Sequence, residues 1–305
     1  VNPFAKKIMS EGLAEQYFFI RYWERGPHIR LRFYSDTDTM MKKIKPQLDT
    51  YFPEYFKKNP SIDIKADWMD QLPEDQKWYP NNSVQYIEYE PETERYGGPD
   101  AILIAEKQFQ ASSNAILSIM SESEDWSYEK AMGSAIQLHL SFAFATSMNL
   151  TEVKYFYDLI FRSWFHRAYY NYEKNLEEEE LKMRSDITLK AFEDNFIKQR
   201  DFLVATHKTL WDAFNNGIEF EQDWLNNWIN EMKKVDQSIS ELQKNKKFIV
   251  PRYYDRTFPD NIRKEMYEKM TVYESYIHMT NNRIGILNRD EAFLGYLIKK
   301  SVEEL

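Results

Sequence analysis

Hydrophobic positions fall into two regimes along the chain. In the first hundred residues they form short apolar or alternating runs, Tyr17 to Trp23, Ile29 to Tyr34 and Val84 to Tyr89, bounded by Gly and Pro clusters, and these predict strands. Gly26-Pro27 lies between the first two runs and predicts a turn, making Tyr17 to Tyr34 a β-hairpin. An amphipathic helix from about Asp38 to Thr50 is expected to pack on this small sheet.

Beyond Pro99 the punctuation changes. All eleven prolines lie before Asp100 or after Val250, and between those positions only Gly133 and Gly217 interrupt the chain. A stretch so poor in helix breakers predicts helices. They are placed at about Pro99 to Ser123, Tyr128 to Met148, Thr151 to Tyr172, Leu176 to Asn216 with a break allowed, and Gln222 to Lys244. Asn149 before Thr151-Glu-Val-Lys marks a helix start. A loop with Pro251 and Pro259 then leads to a last helical stretch from near Tyr273. The fold class is α+β: a small N-terminal antiparallel sheet packed with a large, mostly helical remainder. The expectation is one domain over 1–305, strand-rich over 1–98 and helical over 99–305.

Composition narrows the class. With 43% hydrophobic and 16% aromatic residues the chain is expected to bury one large core or two smaller ones. No apolar run approaches the ~20 residues of a membrane helix, so neither a membrane span nor a secretory signal is read. Zero cysteines exclude disulfides, thiolate metal sites and a cysteine nucleophile, and make the cytoplasm the default location. A net charge of -9 argues against direct nucleic-acid binding by backbone neutralisation. The acidic run Glu177 to Glu180 reads as a solvated helix face, because consecutive carboxylates point around a helix. The aromatic cluster from Tyr155 to Tyr170 reads mostly as core, with one or two members facing a cleft.

Three segments carry candidate chemistry. On a strand, His28, Arg30 and Arg32 share one face at about 6.8 Å intervals, opposite Ile29, Leu31 and Phe33. Two permanent cations and an imidazole suit an anionic ligand such as a dicarboxylate; the bland alternative is a solvated face with surface ion pairs. Tyr89 to Asp100 carries Arg95 beside Gly97-Gly98-Pro99. There the glycines either admit a ligand to the backbone or turn the chain into the helix, and Glu92, Glu94 or Glu106 would receive Arg95 in a purely structural network. The third is Tyr276 to Arg283, where Asn281 and Asn282 follow His278 by three and four residues and are placed to orient its ring. His139, His166 and His207 have no comparable context and form no metal triad; His166-Arg167 is held in reserve.

Three blocks, FFIRYWERGPHIRLRF, EPETERYGGPDAI with a following AEKQF, and IHMTNNRIGI, resemble in identity and order the C-terminal domain of lantibiotic dehydratases, a family that also includes separate thiopeptide-type bacteriocin biosynthesis proteins. The resemblance spans about Tyr17 to Tyr296, the helical middle matching only in character. It implies an enzyme, a lyase without cofactor or metal, that expels glutamate from glutamylated Ser or Thr of a ribosomally made precursor peptide and leaves dehydroalanine or dehydrobutyrine. By motif it assigns His278, Arg30 and Arg95 as catalytic and Arg32 and His28 as substrate-binding. The partners it implies are the precursor peptide and a separate glutamyl-tRNA-dependent glutamylating protein, because the large glutamylating region of full-length members has no counterpart in this sequence; a homo-oligomer is compatible with it.

Chemistry agrees with this assignment. β-Elimination puts negative charge on an enolate-like carbonyl and on a departing carboxylate, so cations must face both, and an imidazole of pKa near ~6.5 moves protons at neutral pH. Two other readings stay open: a thiopeptide cyclase that joins two dehydroalanines in a formal [4+2] step and releases the leader, and a non-catalytic subunit that binds the precursor.

Overall fold

The computed structural model describes residues 1–63, 71–170, 176–251 and 259–305. It is α+β, with two compact units, Val1–Pro91 and Glu92–Leu305. Residues 171–172 of the expected third long helix and most of the loop between Pro251 and Pro259 lie outside the described residues.

In the first unit, β1 (Gln16–Tyr22) and β2 (His28–Tyr34) form the antiparallel hairpin, in a register that sets Phe18 against Arg32, Ile20 against Arg30 and Tyr22 against His28. Gly26, at φ +93°, turns the connection, and a Cβ there would lie 2.9 Å from the Trp78 ring. Leu31 and Phe33 face a core of Phe4, Ile8, Ala14 and Ile44. Phe4 and Ile8 come from α1 (Asn2–Ser10), a helix the strand-oriented reading of the N-terminus does not anticipate, although Phe4 and Ile8 stand one turn apart. Ile44 comes from a longer helical run than expected: α2 (Thr37–Thr39), a π-helical turn (Met40–Ile44) and α3 (Lys45–Lys58) follow without interruption. Asp36 caps its start by accepting from the Thr39 N–H.

No strand forms over Val84 to Tyr89 among the described residues. The alternation that suggested one has no buried face to serve: Tyr86 and Ile87 are both exposed, and the Tyr86 hydroxyl donates to Asp49 instead.

The second unit is helical: α4 (Pro99–Glu122), α5 (Tyr128–Ala145), α6 (Leu150–Tyr169), α7 (Glu178–Asn215), α8 (Asp223–Lys244), α9 (Lys264–Ile284) and α10 (Asn288–Val302). α7 is continuous over its 38 residues, so the allowed break does not occur. Its first-turn acids, Glu178, Glu179 and Glu180, sit where the helix dipole favours negative charge, and Glu180 pairs with Arg184. Pro99 takes the first position of α4.

α6 begins with a capping box: Asn149 accepts from the Glu152 N–H at 3.0 Å and Glu152 accepts from the Asn149 N–H at 3.1 Å. Glu152 is fully buried and also takes two guanidinium donors from Arg263, the N-cap of α9, at 2.7 and 2.5 Å. One carboxylate thereby ties the start of α6 to the start of α9. Burial alone would raise its pKa, but Arg263 and the Asn149 N–H outweigh it and hold Glu152 below the usual carboxylate range.

α9 ends at Gly285, in the left-handed region at φ +97°, and the chain turns back into α10. Tyr128 clamps this turn, donating to Asp290 at 2.5 Å and accepting from the Leu287 N–H at 3.1 Å. The most extensive helix pairing in the unit is that of α10 with α6. These three helices carry the residues that surround His278.

Candidate functional site

On β2 the three alternating residues do share one face, and it is not a bare solvated one. The hairpin register puts Phe18, Ile20 and Tyr22 on that same face, so each cation lies among aromatic rings. The Arg30 guanidinium stacks 3.5 Å above the Tyr22 ring, and Arg32 lies 4.6 Å from Tyr89 and 5.7 Å from Phe18. Arg30 donates from Nε to His28 Nε2 at 3.1 Å and from Nη2 to Glu24 at 2.9 Å.

Because arginine only donates, His28 must accept through Nε2 and donate through Nδ1 to the Gly26 carbonyl, 2.8 Å away. Both ring nitrogens of His28 are thereby engaged within the hairpin. The Glu24 pair is exposed and adds little to stability, so Arg30 is held mainly by the ring beneath it. Half-buried, aromatic-backed guanidiniums are poorly hydrated, which favours carboxylate or phosphate recognition over lysine-like screening.

In the second unit, residues 92–98 form a turn that delivers Arg95 to α9. Its Nε donates to Ser275 Oγ at 3.0 Å and its Nη1 to Glu92 at 3.1 Å, so Glu92 is the local acceptor among the three carboxylates considered. Tyr96 is buried and stacks on Tyr276 with ring centroids 5.9 Å apart, pinning the turn to α9. Gly97 and Gly98, at φ +93° and +100°, serve the turn and a close chain approach rather than a ligand: a Cβ on Gly97 would fall 2.6 Å from Phe248, and one on Gly98 2.9 Å from Ile249.

Ser275 and His278 are separated by one helical turn, so Arg95 anchors beside His278 on neighbouring positions of α9. The structure therefore unites Arg95 with His278 in one unit and His28, Arg30 and Arg32 in the other.

The surroundings of His278 differ from the sequence expectation. Its Nδ1 contacts Glu291 Oε1 on α10 at 2.7 Å, and Trp164 of α6 stacks on the ring at a centroid distance of 4.5 Å. Asn281 does not bond the imidazole in that arrangement; it donates to the other oxygen of Glu291 at 3.1 Å and accepts from His139 Nε2, 2.8 Å away on α5. Glu291, Asn281 and His139 are buried, whereas His278 keeps 17% of its side chain exposed. An ionised carboxylate only accepts, so the His278 Nδ1–H donates to Glu291.

Sequence reasoning missed Glu291 and His139. Asn281 carried part of the signal, but its two partners lie 10 and 142 residues away in the chain. Of the aromatic cluster, Phe156 and Tyr157 are core and Trp164 is the member that meets the site. His166 stacks on Tyr170 and takes no part in this network.

Burial pushes His139 down to about 4, its bond with Asn281 only partly opposing, and burial pushes His207 of α7 to about 4 as well. In the unfolded chain both rings protonate near ~6.5. The unfolded state therefore binds more protons between these values: stability is complete above about pH 6.5 and declines as pH falls toward 4, by up to ~1.4 kcal/mol per pH unit for each ring. Urea midpoints should thus be clearly lower near pH 5 than near pH 7, with part of the difference removed in His207→Phe; identical midpoints would contradict the burial of these imidazoles.

Residues 1–302 match the family described as "Lantibiotic biosynthesis dehydratase C-term". No curated protein matches the chain. Among solved structures, the pyridine synthase TbtD from thiomuracin biosynthesis superposes with a TM-score of 0.70 at 12% identity, covering 99% of this chain and 90% of that one. TsrL gives a TM-score of 0.67 at 14% identity, covering 99% and 88%. The tRNA-dependent lantibiotic dehydratase MibB from Microbispora sp. 107891 gives 0.53 at 14% identity; all of this chain is covered, but only 26% of MibB. At such identities the likeness establishes a shared fold. Among the described residues no helix is long and apolar enough to cross a membrane.

Proposed function

Because the chain belongs to the lantibiotic biosynthesis dehydratase C-terminal family, whose members tailor ribosomally made peptides, we propose that it eliminates glutamate from glutamylated Ser or Thr side chains of a precursor peptide. The observation that carries this reading is the His278–Glu291 pair beside Arg95. A buried carboxylate holds Nδ1, leaving Nε2 as a base, and a guanidinium is anchored one helical turn away.

The step balances without any added reagent. His278 Nε2 takes the proton from Cα of the glutamylated residue. The C–H electron pair becomes the Cα=Cβ bond, and the Cβ–O bond breaks with its electrons going to glutamate as a carboxylate. Negative charge passes through the peptide carbonyl, where a nearby guanidinium lowers the barrier by several kcal/mol if held in place beforehand. The product glutamate is a dicarboxylate, and aromatic-backed arginines such as Arg30 and Arg32 are suited to grip such an anion. On this reading a glutamyl-tRNA-dependent protein supplies the substrate, which places the reaction in the cytoplasm.

One observation favours a second reading. The chain covers 90% of the pyridine synthase TbtD but 26% of the dehydratase MibB, so cyclisation of a peptide already carrying dehydroalanines also fits the fold. Mass spectrometry separates the two. The protein is incubated with no added cofactor, once with a glutamylated peptide and once with a dehydrated one. Elimination is expected: the glutamyl adduct disappears in the first and nothing changes in the second. Release of a leader fragment from the dehydrated peptide would establish cyclisation instead, and no change in either would leave a binding subunit.

A further inference from the structure

His278 does not stand alone on its helix; behind it runs a polar chain through the packed interior of four helices. His139 on α5 contacts Asn281 Oδ1 through Nε2 at 2.8 Å, Asn281 contacts Glu291 Oε2 through Nδ2 at 3.1 Å, and Glu291 Oε1 contacts His278 Nδ1 at 2.7 Å. Apart from His278 the chain is buried, His139 and Asn281 fully and Glu291 at 1% exposure.

Chemistry fixes every donor in it. A carboxylate accepts only, so Asn281 must turn its NH₂ toward Glu291, which leaves its carbonyl for His139; His139 must then donate through Nε2. The depressed pKa of His139 agrees with a neutral ring, and its face is stacked on Tyr157 of α6 at 5.7 Å. His139 thus donates to Asn281 and Asn281 to one carboxylate oxygen, and the carboxylate's other oxygen is left to hold His278. Trp164 on α6 limits the ring from its face while Glu291 limits it from its edge.

Buried carboxylates are costly, and replacement of a buried polar network by apolar side chains of similar volume is often neutral or stabilising. Folding alone gives no reason to set a carboxylate, an amide and an imidazole in line behind one partly exposed histidine. Proton transfer does: a carboxylate on Nδ1 selects the tautomer with a basic Nε2, fixes the ring's direction and compensates the charge that arises when Nε2 takes a proton.

We infer that Glu291 is the positioning residue of this site, held in its own orientation by Asn281 and His139, and that it acts through His278 rather than on the substrate. The inference rests on the reading of His278 as the base. Selective ¹⁵N-histidine labelling of the full chain gives a readout independent of turnover, since there are five histidines to assign. In the native protein His278 is expected to show the Nδ1–H tautomer. Glu291→Gln, whose amide still accepts from Asn281, is expected to shift that ring to a mixture of tautomers. It should also lower kcat on the order of 10²-fold with KM changed by less than about threefold. Glu291→Asp, which keeps the carboxylate but withdraws it by one methylene, should recover part of both and guards against a variant that fails to fold.

An unchanged His278 tautomer in Glu291→Gln, or undiminished kcat in that variant, would overturn the positioning role. His278→Ala keeps the two ideas apart. Turnover that survives it refutes the base assignment itself, whereas turnover lost in His278→Ala but retained in Glu291→Gln refutes only the part given to Glu291.

Discussion

Replacing His278 with alanine is expected to lower the rate of glutamate release on the order of 10³-fold, in the middle of the range for loss of a general base. Some loss of stability accompanies it. The ring stacks on Trp164 and satisfies one oxygen of buried Glu291, so its removal should cost about 1–3 kcal/mol through the carboxylate left without a donor. The two effects separate by temperature: well below the melting transition the variant is folded and still inactive. Arg95→Ala should fall in the same direction with a smaller stability change, because Arg95 is 37% exposed and its ion pair with Glu92 lies at the surface. Activity and melting temperature falling in proportion for both variants would mark these residues as structural. The measurement is initial rate against fraction folded, taken on the same preparations.

The second large effect concerns the helix pair that carries Trp164 and Glu291. Gly295 of α10 lies so close to α6 that a Cβ would sit 2.9 Å from the Phe161 amide nitrogen and 3.1 Å from the Tyr157 carbonyl oxygen. Those are backbone atoms, which cannot swing aside. A Gly→Ala change gains about 1 kcal/mol of helix propensity, but forcing packed backbones apart costs typically about 1–3 kcal/mol and more for a branched side chain. The clash wins. Gly295→Val is expected to destabilise the protein by about 3 kcal/mol or more in denaturant titrations, and to depress activity even where folded, since α6 and α10 flank the His278 ring. Gly133 of α5 is the control: a Cβ there meets nothing within 4 Å, so Gly133→Ala should stabilise by about 0.5–1 kcal/mol. Equal effects at the two glycines would contradict the close approach of α6 and α10.

Much of the helical architecture was legible because its signals are local. The proline-free stretch, Asn149 ahead of Glu152, and Pro99 after two glycines each act within a turn or two of chain, and α4, α6 and α8 begin within a residue of the expected positions. Alternation misled at Val84 to Tyr89, where side chains face solvent on both sides and no partner strand forms among the described residues. α1 escaped because nine residues offer little periodicity, and its reason for being helical is the core of Phe33 and Ile44 that it completes.

The site divides in the same way. The alternation of His28, Arg30 and Arg32 predicted a shared face, yet the aromatic backing of that face follows from a register that pairs residues across the turn. Asn281 was visible as a neighbour of His278, but spacing on one helix cannot disclose that its partner is Glu291 on the next helix, nor that His139 reaches it from 142 residues away. Hydrogen bonds of that range are decided by packing, and only the folded chain displays them.

On the proposed reading, this protein expels glutamate by removing a Cα proton. The most direct test is a single-turnover reaction with protein in excess over a glutamylated peptide, following free glutamate and the peptide double bond together. Equal yields rising at one rate, abolished in His278→Ala, are predicted. A glutamylated peptide that remains intact through the reaction, with no glutamate set free, would contradict it.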